Sequence, residues 1–151
     1  MEYNVKEVIA VNYSPSLKEI SDMKLFRDQK EASEYYESFL ASDKMMHVFK
    51  LDGTILAVSE WKDRLVFTDT NNKVSLEDIH DLLAKLANHC LHTWHRGYEQ
   101  LKLPWFQKLC VRLGIKKFDV TPPSFDCHSM TIEELVDLQF NPDRYKHLYE
   151  Y

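Results

Sequence analysis

The sequence predicts one mixed α/β domain, with a central, largely antiparallel sheet covered by helices on both faces. Three observations predict it. A three-stranded meander over about 45–69 is marked by β-prone runs joined through tight turns. A long helix after Ser75 carries an apolar stripe with a period near 3.6 residues. Along the middle strand of the meander, Ile55, Ala57 and Ser59 alternate with Leu56, Val58 and Glu60. Both faces are therefore partly apolar, as a sheet covered on both sides requires.

The elements follow in order. Tyr3 to Val11 carries Val5, Val8, Ile9 and Val11 and reads as a strand. Ser14-Pro15-Ser16 starts a short helical segment containing Leu17, Ile20, Met23 and Leu25. A second helix sets Ala32, Tyr35, Tyr36, Phe39 and Leu40 at helical spacing. In the meander, Met45 to Leu51 leads into the two-residue turn signal Asp52-Gly53, Thr54 to Trp61 into Lys62-Asp63, and Arg64 to Thr68 closes it. Ser75, with Asp78 three residues on, caps the long helix, whose stripe is Ile79, Leu82, Leu83, Leu86, Cys90 and Trp94. Gly97 interrupts that helix, and Tyr98 to Leu103 reads as a further strand. Pro104 opens a late helix expected to bury Phe106, Leu109, Cys110 and Leu113, and Gly114 ends it in a left-handed cap. Ile115 to Val120 reads as a strand stopped by Pro122-Pro123. Thr131 and Glu134 form a capping box before Leu135 and Leu138, and Asn141-Pro142 starts a short helical C-terminal tail. Residues 1–151 read as a single domain, with a core of about 3–120 and an extension of about 121–151.

Composition narrows the function. The net charge of −5 argues against a nucleic-acid backbone as partner, because neutralising phosphates needs a basic surface. Arg112, Lys116 and Lys117 form a local basic cluster that reads as a solvated helix end. Cys90, Cys110 and Cys127 are odd in number and lack a CxxC spacing, so reduced thiols in the cytoplasm are expected. The N-terminal residues lack the apolar core of a signal peptide, and no apolar run approaches the roughly 20 residues that span a bilayer; no membrane partner is expected. The only glycines are Gly53, Gly97 and Gly114, which excludes the clustered glycines of P-loops and dinucleotide fingerprints.

Several residues invite chemistry. His89, His92 and His95 lie on the long helix, and His89 and His92 share a face, but spacing supplies no third ligand, so no metal is expected. His47 and His80 have no partner that spacing identifies. Glu60, late in the second meander strand, is a candidate general base, or an edge carboxylate beside Lys62 or Arg64. Cys127-His128 reads as a loop thiol. Tyr145, Leu148, Tyr149 and Tyr151 make a tail that either docks on its own domain or supplies a partner interface, with Tyr145, Tyr149 and Tyr151 as its contacts.

The order strand, two helices, three-stranded meander, long helix, strand, helix, strand resembles the GNAT-type N-acetyltransferase fold over roughly residues 3 to 120. Asp52-Gly53-Thr54-Ile55-Leu56-Ala57-Val58 resembles that family's central hairpin, and Phe106 to Ile115 its late helix. In layout the chain is most similar to small acetyltransferase-like proteins of tailed bacteriophages, some of them internal virion components. The resemblance implies a coenzyme pyrophosphate held on a glycine-rich turn between the fourth strand and the long helix. Here that turn runs from Thr68 to Ser75 without glycine or arginine, and Thr68, Asp69, Thr70, Asn71 and Ser75 are the positions that would line acetyl-CoA. The tyrosine that many relatives place four residues before the late glycine, to protonate the leaving thiolate, corresponds to Cys110, and a polar residue near the start of that helix to Leu103. With these landmarks missing, the resemblance implies an acyltransferase-like domain that has lost catalysis and binds another protein, as a virion component or an inhibitor of a host factor, in virion or host cytoplasm. The alternative is an active N-acetyltransferase that uses acetyl-CoA, with Glu60 and Cys110 as its catalytic candidates.

Overall fold

The structure, a computed structural model, describes residues 4–14, 16–38, 46–115 and 125–150. A 3-10 turn, Val5–Glu7, leads into β1 (Ile9–Asn12), and β2 (Lys24–Phe26) pairs with it antiparallel, Ala10 opposite Leu25. The helical segment expected from Ser16 to Leu25 is absent. Its apolar spacing is met by single turns, Glu19 N–H to the Ser16 carbonyl and Met23 N–H to that of Ile20, while Leu25 is drawn into the sheet. Side chains explain the outcome. Asn12 Nδ2 donates to the Glu19 carbonyl at 2.8 Å, and the hydroxyls of Ser14 and Ser16 accept from the amides of Ser16 and Lys18. Such bonds compete directly with a helix ladder.

Helix α1 (Gln29–Glu37) starts where Asp28 accepts a hydrogen bond from the Glu31 amide. Ala32, Tyr35 and Tyr36 keep the expected spacing, while Phe39, Leu40 and Met45 lie outside the described residues. The meander follows as β3 (His47–Lys50), β4 (Thr54–Trp61) and β5 (Arg64–Lys73). Its second turn has two residues, Lys62 and Asp63, both with positive φ (49° and 60°), which suits the twist of the flanking strands. Its first connection has three residues rather than two, Leu51 to Gly53. Gly53 sits at φ +102°, and a Cβ there would lie 2.7 Å from the Val74 carbonyl oxygen. β5 is longer than expected. A register shift opposite Thr54–Leu56 absorbs the extra residues, and the Thr70 hydroxyl donates to the Ile55 carbonyl at 2.7 Å across it.

Helix α2 (Leu76–Leu101) begins at Ser75, whose hydroxyl accepts from the Asp78 amide, and buries Ile79, Leu82, Leu83, Leu86 and Leu91, with Cys90 and Trp94 half-buried beside them. It runs straight through Gly97, so Tyr98 to Leu101 is helix and not the expected strand. Gly97 costs the helix about 1 kcal/mol. Trp94 and His95, the turn before it, pack on the C-terminal tail and offset that. Helix α3 (Trp105–Arg112) has Pro104 as its N-cap and closes with Gly114 at φ +73° and Ile115 N–H on the Cys110 carbonyl, a left-handed cap. The strand expected from Ile115 to Val120 falls almost wholly outside the described residues. A 3-10 turn (Cys127–Ser129) precedes α4 (Ile132–Phe140), which carries the complete Thr131/Glu134 capping box. The 3-10 turn Pro142–Tyr145 and α5 (Lys146–Tyr149) follow it.

The fold is thus mixed α/β: among the described residues there are five antiparallel strands in the order β2-β1-β3-β4-β5 and five α-helices. Alternation along β1 divides the core. Val8 and Ala10 join Phe49, the α2 stripe and Leu135, Leu138 and Tyr149 on one face; Ile9 and Val11 join Val48, Leu56, Phe67 and α1 on the other. No described helix is long and apolar enough to cross a membrane.

Candidate functional site

The segment expected to cradle a coenzyme is largely strand. Thr68 to Asn71 lie within β5, not in a turn. Asp69 is 3.5 Å from Lys50 Nζ; the Asn72 amide donates to the Thr70 hydroxyl, and the Val74 amide to the Gly53 carbonyl at 2.7 Å. Ser75 holds the Asp78 amide, and Glu77 and Asp78 place two carboxylates in the first turn of α2, where they compete with any incoming anion. Asn71 is exposed. Among the described residues no strand lies beyond β5.

The two catalytic candidates are not brought together. Glu60 is exposed on β4 opposite Leu65, and Cys110 is half-buried on α3; no hydrogen bond joins them. The other thiols are held protonated. Burial pushes the pKa of Cys90 up, and burial followed by the charge of Asp126 does the same for Cys127. His128 turns away from the neighbouring thiol to Asp81 (3.0 Å), a carboxylate kept below its usual pKa by the Lys85 ammonium and then by His128 itself. Cys127-His128 is therefore no nucleophile pair. A cleft of about 360 Å³ lies between Leu91, Phe125, Cys127, Met130, Tyr145 and Leu148, with no activated nucleophile on its wall.

The helix histidines go three ways. His89 is exposed, and His92 packs its ring tilted against Phe125 at 5.2 Å. His95 is buried: its Nδ1–H donates to the Tyr149 carbonyl at 2.9 Å, and its Nε2 lies 3.9 Å from Glu99. His80, for which spacing named no partner, meets the Met130 carbonyl at 2.7 Å. The described residues hold no group of three side chains that could bind a metal.

Of the two outcomes open to the aromatic tail, the structure gives docking on its own domain. Tyr149 is 7% exposed, packs its ring tilted against Trp94 at 5.2 Å and donates its hydroxyl to the Pro142 carbonyl. Burial raises its phenol pKa. Tyr145 donates to buried Asp137 at 2.9 Å, and Asn141 and Arg144 converge on the same carboxylate. Tyr151 lies outside the described residues.

The exposed apolar surface lies instead on α3. Trp105 is 77% exposed, Leu113 63%, Phe106 55% and Leu109 44%, with Leu101 and Ile115 also open at its ends. Successive helix residues are turned by about 100°, so these four side chains share an arc about 100° wide. Gln107, Lys108, Cys110 and Val111, off that arc, are the half-buried ones. The helix thus turns its strong apolar side to water. The sequence carries the stripe in plain view, but periodicity does not say which way it points, and burial was the natural expectation. Lys108 and Arg112 rim the arc, and residues 101–115 contain no Asp or Glu. A smaller aromatic site is the β4–β5 turn, where half-exposed Trp61 is flanked by Lys62 Nζ at 4.3 Å and the Arg64 guanidinium at 5.1 Å.

The chain matches no protein-family profile, no curated protein and no solved structure.

Proposed function

We propose that the chain is an acyltransferase-like domain without catalysis, whose work is to hold another protein against the apolar face of α3. That face carries the reading. Four large apolar side chains left in water on one arc mark an interaction surface, and Trp is the residue type most enriched among energetic anchors. The acyltransferase-like part is supported by the antiparallel run β1-β3-β4-β5 followed by the long α2, the order that the GNAT resemblance implies. Loss of catalysis is supported by the coenzyme segment. Its Asn72 amide is taken by the Thr70 hydroxyl and its Val74 amide by the Gly53 carbonyl, and Asp69, Glu77 and Asp78 add negative charge beside it. Proximity to a bound coenzyme is what this chemistry needs first, and nothing there supplies it. The phage resemblance offers two settings, the virion interior and a host factor.

Two measurements test the reading. Isothermal titration with acetyl-CoA should give no binding heat up to about 1 mM, the upper end of ordinary enzyme affinities. Trp105→Ser combined with Leu109→Ser should reduce co-purification of the partner from source cells at least tenfold, with melting temperature unchanged. Micromolar acetyl-CoA binding with acetylation of an amine overturns the reading, as does a partner retained equally by the variant.

A further inference from the structure

Resting on the reading of α3 as a docking face, we infer that its occupant is an acidic, amphipathic segment of another protein. The apolar arc of Trp105, Phe106, Leu109 and Leu113 fits the apolar stripe of a helix or extended segment laid along it. Charge selects the class of that segment. Lys108 and Arg112 stand four residues apart on one rim of the arc, and neither has an ion-pair partner among the described residues. Lys102, at the end of α2, is held by Glu99 at 3.2 Å and adds less. The whole chain carries −5 although residues 101–115 carry only positive charge, so the basic rim is a local exception on an acidic protein. A partner with carboxylates beside its apolar stripe would be steered to this rim and away from the rest of the surface.

The charge pattern also disfavours the other occupants. A second copy docked α3 to α3 brings no carboxylate to Lys108 or Arg112, because residues 101–115 hold none. An anionic bilayer would attract the two cations, each worth about 1 kcal/mol near a charged surface. It would also repel the acidic remainder of the chain, and α3 offers only the eight residues Trp105–Arg112 to insert.

The test is a selection. The full chain is panned against a display library of random peptides long enough for about four helical turns. The enriched peptides should be acidic with apolar residues at helical spacing. Their affinity should fall at least tenfold with Trp105→Ser plus Leu109→Ser, and it should weaken as salt rises from about 50 mM to about 500 mM. Lys108→Glu with Arg112→Glu, at unchanged melting temperature, should turn the preference to basic peptides. Peptides that depend on Trp105 and Leu109 but carry no acidic bias overturn the inference and leave α3 as a docking face. Peptides indifferent to that pair, or an empty selection, remove both. Sedimentation with phosphatidylserine vesicles that is lost in the Trp105/Leu109 variant makes lipid the occupant and also overturns it.

Discussion

The segments Leu101–Ile115 and Thr131–Tyr149 are both short helices rich in leucine and aromatic residues, yet the first shows its apolar arc to water and the second hides it. What separates them is polar anchoring. The tail is fixed in register by Asp137, which gathers Asn141, Arg144 and Tyr145, and by His95, which holds the Tyr149 carbonyl from α2. Among the described residues, no side-chain hydrogen bond or ion pair ties Trp105–Ile115 to the rest of the domain. An apolar stripe therefore states that a face exists; the polar contacts around it state what covers it.

The largest effect that sharpens the contrast lies beneath the tail. Leu83 is 1% exposed on α2, in the cluster shared with Phe49, Leu135 and Leu138. Leu83→Ala should cost about 2–5 kcal/mol in denaturant unfolding, the range for a buried leucine. A loss below about half a kcal/mol would mean that this helix face is not core.

Next in size is the anchor itself. Asp137 is buried, and removing its carboxylate leaves the Tyr145 hydroxyl and the Asn141 amide without their acceptor. Asp137→Ala should cost about 1–3 kcal/mol. Hydrogen exchange should rise mainly in Pro142–Tyr149, because that segment depends on the anchor while α4 retains its capping box. If exchange rises equally in α3, the two segments are not separate units and the comparison fails.

How much of this was legible depended on whether a signal was local. The β4–β5 hairpin, the α2 stripe with its Ser75 cap and the Thr131/Glu134 box are each written within a few residues, and each forms. The strand β2 is not local: Leu25 obeys a helical spacing, and only the partner strand β1 overrides it. Gly97 looks like punctuation, but a glycine within a 26-residue helix is outweighed by the packing on either side of it. The form of the segment expected to line a coenzyme was out of reach for a related reason. Asp69 to Lys73 read as a turn until the register shift opposite Thr54 made them the end of a long strand. The buried His95 and Asp137 were also out of reach, since their partners lie 54 residues away and on a later turn of the chain.

The smallest stability effect falls on α3. If Trp105 and Leu109 were core residues, replacing both with serine would forfeit several kcal/mol of burial, as in any large-to-small core change. Trp105 is 77% and Leu109 44% exposed, so far less buried apolar area is lost than at a core site when they are removed. The helix loses some propensity, since serine ranks below leucine, by a few tenths of a kcal/mol. Removing exposed apolar surface acts in the other direction on association, because a contiguous patch of this kind promotes it. The double variant should therefore unfold within about half a kcal/mol of the parent and stay monomeric at concentrations where the parent begins to associate, as read by sedimentation velocity. A loss of 2 kcal/mol or more would place the arc in the core and remove the contrast between α3 and the tail.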